Sequence, residues 1–192
     1  MSYSVFVYSV NLDRLGHLFG SKDKQVVLEI KKQFSDDIKE HNDWFEEEIK
    51  GGAPTLNQAI EEIVEGVITH ELNSWQYGYA LEIICRYMGK QLSSESLESL
   101  NSSGLQLLES IDGVGELVLH SRPPMSIPIP QDFPTIGHMP YQTVVDKLAK
   151  LTSIEFSGSE AYIDWQDDVW EEYKQWLEEA KASCQGLVTF LY

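Results

Sequence analysis

The chain predicts an α+β fold: a small sheet that includes the N- and C-terminal strands, covered by several α-helices. Two observations carry this. Both ends, 3–10 and 187–192, are short runs rich in β-branched and aromatic residues, the composition and length of strands. Almost everything between them repeats its apolar residues at helical spacing. A third observation sets the size of the core. With 42% hydrophobic and 11% aromatic residues in 192, one α+β domain can span 1–192, and disorder is excluded.

Residues 3–10 place Tyr3, Val5, Val7 and Ser9 on one face and Ser4, Phe6, Tyr8 and Val10 on the other. Neither face is purely polar, so the strand is buried on much of both. A helix follows from an N-cap at Ser21, with Val26, Val27, Ile30, Phe34 and Ile38 in phase. The same phase continues through Phe45 and Ile49 to Gly51-Gly52. Thr55 and Gln58 make a capping box. After it Leu56, Ala59, Ile60, Ile63, Val64, Val67 and Ile68 trace one face, with Glu61, Glu62 and Glu65 opposite. The stretch 77–88 is apolar nearly all round, which marks a central helix, and Gly89 ends it.

The serine-rich 93–110 reads as short helices joined by a turn at 101–104. Six of the seven prolines fall within 122–140, and proline fixes φ and removes an amide donor. That stretch is predicted as an extended, ordered strap whose Ile and Phe residues pack on the domain. Pro140 opens a helix carrying Val144, Val145, Leu148 and Leu151, and 154–156 reads as a short strand. A long helix over 160–182 follows, with Tyr162, Trp165, Val169, Tyr173, Trp176, Leu177 and Ala180 as its stripe. The strand 187–192 closes the chain. Two apolar strands at the ends are expected to pair, because an unpaired apolar edge aggregates.

The net charge is −17, and it is localised. Residues 35–71 hold 11 acids and 2 bases, and 155–182 hold 9 and 2, which leaves 127 residues nearly neutral at 11 acids and 10 bases. Nucleic acid and anionic membrane surfaces both need cations the chain lacks, so neither is an expected partner. A basic protein is. The two cysteines, Cys85 and Cys184, read as reduced, mostly buried thiols of a cytoplasmic protein, although spacing alone leaves a bridge open. Neither a signal-type N-terminus nor a membrane-length apolar run is visible.

Candidate chemistry fails on spacing. His70-Glu71 begins a zinc-protease pattern, but the second His position is Ser74; His70 reads instead as the end of the preceding helix. Asp112-Gly-Val-Gly115 lacks a third glycine, which falls at Val118, and lacks a preceding strand; it reads as a turn between helices. Consecutive acids such as Asp36-Asp37, Asp167-Asp168 and 46–48 point about 100° apart on a helix and do not converge on an ion. No cofactor or metal is therefore expected.

Several segments together carry a resemblance: Tyr3-Ser-Val-Phe-Val-Tyr-Ser-Val-Asn-Leu-Asp13, Gly20-Ser-Lys-Asp23, Tyr77-Gly-Tyr-Ala-Leu-Glu-Ile-Ile-Cys85, Arg122-Pro-Pro and Asp132-Phe-Pro-Thr-Ile-Gly137. In order and spacing the chain resembles an uncharacterised family of small soluble bacterial proteins of unknown function. The resemblance spans most of 1–140 and fades toward the acidic C-terminal helix. It implies an α-rich α+β fold and brings no catalytic residues.

The function expected on these grounds is that of a non-enzymatic, acidic protein-binding module, in one concrete form an immunity-type antagonist of a basic partner. Its contact residues would be Asp164, Asp168, Glu171, Glu172 and Glu179, with an exposed Trp170 as aromatic anchor. The rival expectation is a small-ligand binder or enzyme around 120–141, with His120, Arg122, Asp132, His138 and Tyr141 about a cleft. A third is a homo-oligomer joined through the Trp165 and Trp176 stripe.

Overall fold

In the computed structural model, which describes residues 2–111, 113–119, 122–151 and 163–192, the two ends of the chain do pair. β1 (Val5–Val10) and β4 (Gly186–Leu191) are antiparallel, with Val5 opposite Leu191 and Tyr8 opposite Val188. Ser4 and Tyr192 extend the pairing by exchanging two backbone hydrogen bonds of 3.0 Å. β2 (Lys90–Leu92) flanks β1 and β3 (Thr135–Met139) flanks β4, giving the order β2-β1-β4-β3, antiparallel throughout. The described residues thus form an α+β fold on a four-stranded sheet.

Both faces of this sheet are covered. Side chains alternate along a strand, so Tyr8, Val10, Val188, Phe190 and Ile136 enter one core and Val5, Val7, Leu187, Leu191 and Met139 another. The first core is closed by α1 (Leu12–Leu18), α2 (Lys24–Gln33), α3 (Ser35–Trp44), α5 (Leu56–Glu65) and α6 (Ser74–Met88). Between α3 and α5 lies the short α4 (Glu46–Lys50). The second is closed by α7 (Ser102–Ser110), α8 (Val114–Leu119), α9 (Tyr141–Leu151) and α10 (Ile163–Ala182).

The local signals explain most of these elements. Thr55 and Gln58 form the full reciprocal capping box at the start of α5, and Gly66 ends it in the left-handed region at φ 73°. α6 keeps Tyr77, Ala80, Leu81, Ile84 and Cys85 at 0% exposure, as a central helix must. Along α10 the stripe Val169, Tyr173, Trp176, Leu177 and Ala180 is buried.

Other expectations are corrected. The cap of α2 is Asp23, whose carboxylate accepts from the Gln25 and Val26 amides, not Ser21. The phase expected to run unbroken to Gly51 is interrupted at Phe34 (φ −112°) and Phe45 (φ −107°). Each break seats a phenylalanine ring: Phe34 in the first core, and Phe45 against Trp75 at 4.6 Å between centroids. α5 stops at Glu65, so Val67 is 57% exposed instead of continuing the apolar face. α1 and β2 were not foreseen, the first being short and the second three residues long.

The proline segment is non-helical over 122–134, as expected, but ends in β3. It crosses α6 at Gly78, where an added Cβ would lie 2.7 Å from Pro134 Cγ. Ile127 and Ile136 are buried, whereas Ile129 is 56% exposed. The expected strand 154–156 and residue Tyr162 lie outside the described residues. Cys184 is exposed, not buried, and sits in a turn at φ 54° beyond α10; both thiols are free.

Candidate functional site

α3 and α6, together with the sheet face of β1 and the end of β4, line a cleft of about 620 Å³. Phe6 and Tyr8 reach it from β1, Gln91 from β2 and Tyr192 from the end of β4. α3 contributes Asp37, Glu40, His41 and Trp44, with Phe45 at the bend that follows. α6 contributes Tyr79, Glu82, Ile83 and Arg86, successive positions of one helix face at i, i+3, i+4 and i+7.

The walls are aromatic. The His41 ring lies 4.4 Å from Tyr79 and 4.7 Å from Phe45, and Tyr79 lies 5.2 Å from Tyr192 between centroids. Phe6 meets Tyr192 edge-on at 5.7 Å. Such contacts lock the rings in place.

Polar groups are placed among them. The Tyr8 hydroxyl donates to Glu82 Oε1 at 2.7 Å, and the Tyr192 hydroxyl donates to Glu82 Oε2. Burial, and then the charge of Glu82, push both phenols well above the ordinary tyrosine range. Arg86 pairs with Asp37 at 3.0 Å, and its guanidinium stacks 4.9 Å over the Phe34 ring. Glu40 is exposed and has no cationic partner among the described residues. Burial holds the His41 imidazole below its ordinary pKa, against the opposing hydrogen bond to Gln76. The formal charge of the lining is therefore three carboxylates against one guanidinium. An aromatic cavity with excess negative charge is suited to a cation.

A family model described as a domain of unknown function, DUF7691, matches residues 1–192. The chain belongs to this family. The match runs through the acidic C-terminal helix, beyond the 1–140 over which sequence motifs alone carried a resemblance. No curated protein and no solved structure matches the chain.

The residues singled out from sequence fall elsewhere. On α10, Asp168 and Glu171 are exposed, and the side chain of Asp164 lies outside the described residues. Glu172 accepts from the Ser96 amide at 3.2 Å and from the Ser93 hydroxyl at 3.3 Å, and Glu179 pairs with Lys90. Trp170 is half-buried, stacked on Tyr173 at 5.7 Å with 8° between the rings, and is not the exposed anchor expected. Trp176 is 1% exposed within the chain, which removes it from any subunit contact.

Of the 120–141 set, Arg122, Asp132, His138 and Tyr141 do not line this cleft. His120 lies outside the described residues, and Arg122, Asp132 and Tyr141 are exposed. His138 Nδ1 donates to the Arg122 carbonyl at 2.6 Å. Tyr141 lies beside Cys184, whose hydrogen bond raises its hydroxyl pKa. The strap does border a second cavity, of about 510 Å³, but its walls are 126–129, Gln131, Ile68, Glu71 and Ser74. Asp132 reaches the main cleft electrostatically, adding to burial and Glu82 in raising Tyr79. His70, expected at a helix end, stands in the loop after α5 and donates to Glu62 Oε1 at 3.0 Å.

Sequence reasoning missed Glu82, Arg86 and His41. A signal for the first two was present: two charges four residues apart in a stretch otherwise apolar all round. Charges in such a stretch are rare unless they are paired or face a cavity. Among the described residues no three His, Cys, Asp or Glu side chains come together as a metal site. No helix of the described residues is long and apolar enough to cross a membrane.

Proposed function

We propose that this chain is a binding protein whose aromatic cleft receives a cationic group, and that the group is presented by a basic partner. The observation that carries this reading is the lining itself: Phe6, Trp44, Phe45, Tyr79 and Tyr192 around Asp37, Glu40 and Glu82, opposed by Arg86 alone. Cation–π attraction and carboxylate pairing act on the same ligand group, and a partly desolvated site strengthens both.

The charge around the cleft supports a macromolecular source for the cation. Residues 35–50, which carry the α3 wall of the cleft and the short α4 that follows it, hold seven acids and two lysines. Both lysines are occupied locally, Lys39 by Asp43 and Lys50 by Glu46 and Glu47. Acids around a cavity mouth raise the local concentration of basic ligands and speed their encounter. This reading places the docking surface on the first acidic stretch, because Asp37 and Glu40 of that stretch line the cleft.

The test is a titration of the full chain with N-acetyl-arginine amide at low salt, read by tryptophan fluorescence, since Trp44 lines the cleft and Trp75 packs on Phe45. Saturable binding is expected. Trp44→Ala is expected to weaken it roughly two- to fivefold and Glu40→Lys by a similar factor. Absence of saturable binding, or equal response to N-acetyl-aspartate amide, removes the reading.

A further inference from the structure

The cleft contains a histidine whose proton position is dictated by its neighbours. Gln76 lies beneath His41 at 0% exposure, and its amide nitrogen donates to the Pro54 carbonyl at 2.8 Å. A carbonyl only accepts, so this contact settles which end of the amide is nitrogen. The Gln76 oxygen is then the atom 2.7 Å from His41 Nε2. That oxygen also only accepts, so Nε2 carries the proton, and the neutral ring keeps its lone pair on Nδ1. Nδ1 has no hydrogen-bond partner among the described residues and is not sealed from solvent, and the ring lines the cleft.

Resting on the cation-binding reading, we infer that His41 selects the ligand. Nδ1 accepts a hydrogen bond from an N–H of the bound cation, so the cleft takes a guanidinium or a primary ammonium in preference to a quaternary ammonium, and releases it when the ring gains a proton.

The surroundings make His41 a clean sensor. The ring is clamped between Phe45 and Tyr79, so its lone pair has a fixed direction. The charged groups facing the cleft with it are Asp37 and Glu40 from its own helix and Glu82 and Arg86 from α6. The facing hydroxyls of Tyr8, Tyr79 and Tyr192 are all shifted upward and stay protonated. His41 is shifted below the usual imidazole value of 6.5, first by burial, so the ring is neutral near pH 7 and acquires charge only on the acid side. Protonation turns Nδ1 from acceptor into donor and sets a second positive charge beside the ligand. Both changes oppose binding, so affinity is greatest above the His41 pKa and declines as pH falls through it.

The experiment uses the full chain with two probes, N-acetyl-arginine amide and choline, titrated at pH 7.5 and at pH 5. Nitrogen–proton spectra of the His41 ring are recorded without ligand. The expected spectrum is that of the Nε2–H tautomer. The arginine probe is expected to bind roughly three- to tenfold more tightly than choline at pH 7.5, by the worth of one hydrogen bond. It should weaken severalfold at pH 5, and His41→Gln should abolish that pH dependence. If the variant does not fold, the wild-type spectrum and the choline comparison still decide. An Nδ1–H tautomer, equal affinity for the two probes, or pH-independent binding of the arginine probe overturns the role of His41 and leaves the cation cleft standing. Failure of both probes at pH 7.5 overturns the cleft and this inference together.

Discussion

Glu62 shows what a single carboxylate does outside the cleft. It accepts from the Thr69 amide at 2.8 Å, from the Thr69 and Tyr77 hydroxyls, and from His70. Burial alone raises its pKa, but the hydrogen bonds from Thr69 and Tyr77 outweigh that and leave it below the ordinary value of 4.5. A folded-state pKa below the unfolded one contributes stability that is complete above the unfolded value and is lost as pH falls through the folded one. Glu62→Gln is therefore expected to lose about 1 kcal/mol near neutrality. Urea melts should show the difference from wild type shrinking below about pH 4. A constant difference down to pH 3 would show that shape, not charge, is what Glu62 supplies.

At the scale of elements, two substitutions separate local from tertiary control. Thr55 accepts from the Gln58 amide at the start of α5, a contact within one turn of chain. Thr55→Ala is expected to lose about 1 kcal/mol by chemical denaturation, the usual worth of an N-cap. Gly137 lies in β3, where α8 comes so close that an added Cβ would stand 1.7 Å from the Leu117 carbonyl oxygen. Gly137→Ala must push α8 off the sheet and is expected to lose about 3 kcal/mol or more. A loss under about 1 kcal/mol would mean that this layer yields easily. The cap was legible in the sequence because both partners lie three residues apart. The glycine was not, because Leu117 is brought to it only by packing. The breaks at Phe34 and Phe45 were hidden for the same reason: the apolar phase persists across them, and only the core they wrap shows where the axis turns.

At the scale of the molecule, the net charge is −17, and α3 sets Asp37 and Glu40 on one wall of the cleft with the acids of α4 following in sequence. Like charges held close destabilise the folded chain and are screened by salt. Raising NaCl from about 10 to about 150 mM should therefore raise Tm, while weakening capture of a basic probe. A Tm that falls with salt would show that the paired acids, not the unpaired ones, dominate the field.

The amino-acid sequence by itself determined the terminal strands, the capped α5, the central α6 and the apolar stripe of α10. Periodicity and caps act over a few residues and are written in neighbouring positions. It also determined that the protein is acidic in two stretches. Only the tertiary structure decided which stretch borders a cavity. The cleft joins residues as far apart as Phe6, His41, Glu82 and Tyr192, and no local rule relates them. Its walls are two helices and a sheet whose central strands come from opposite ends of the chain. The proton on His41 belongs to the same category, since it depends on Gln76 and Pro54, which meet only in the folded core.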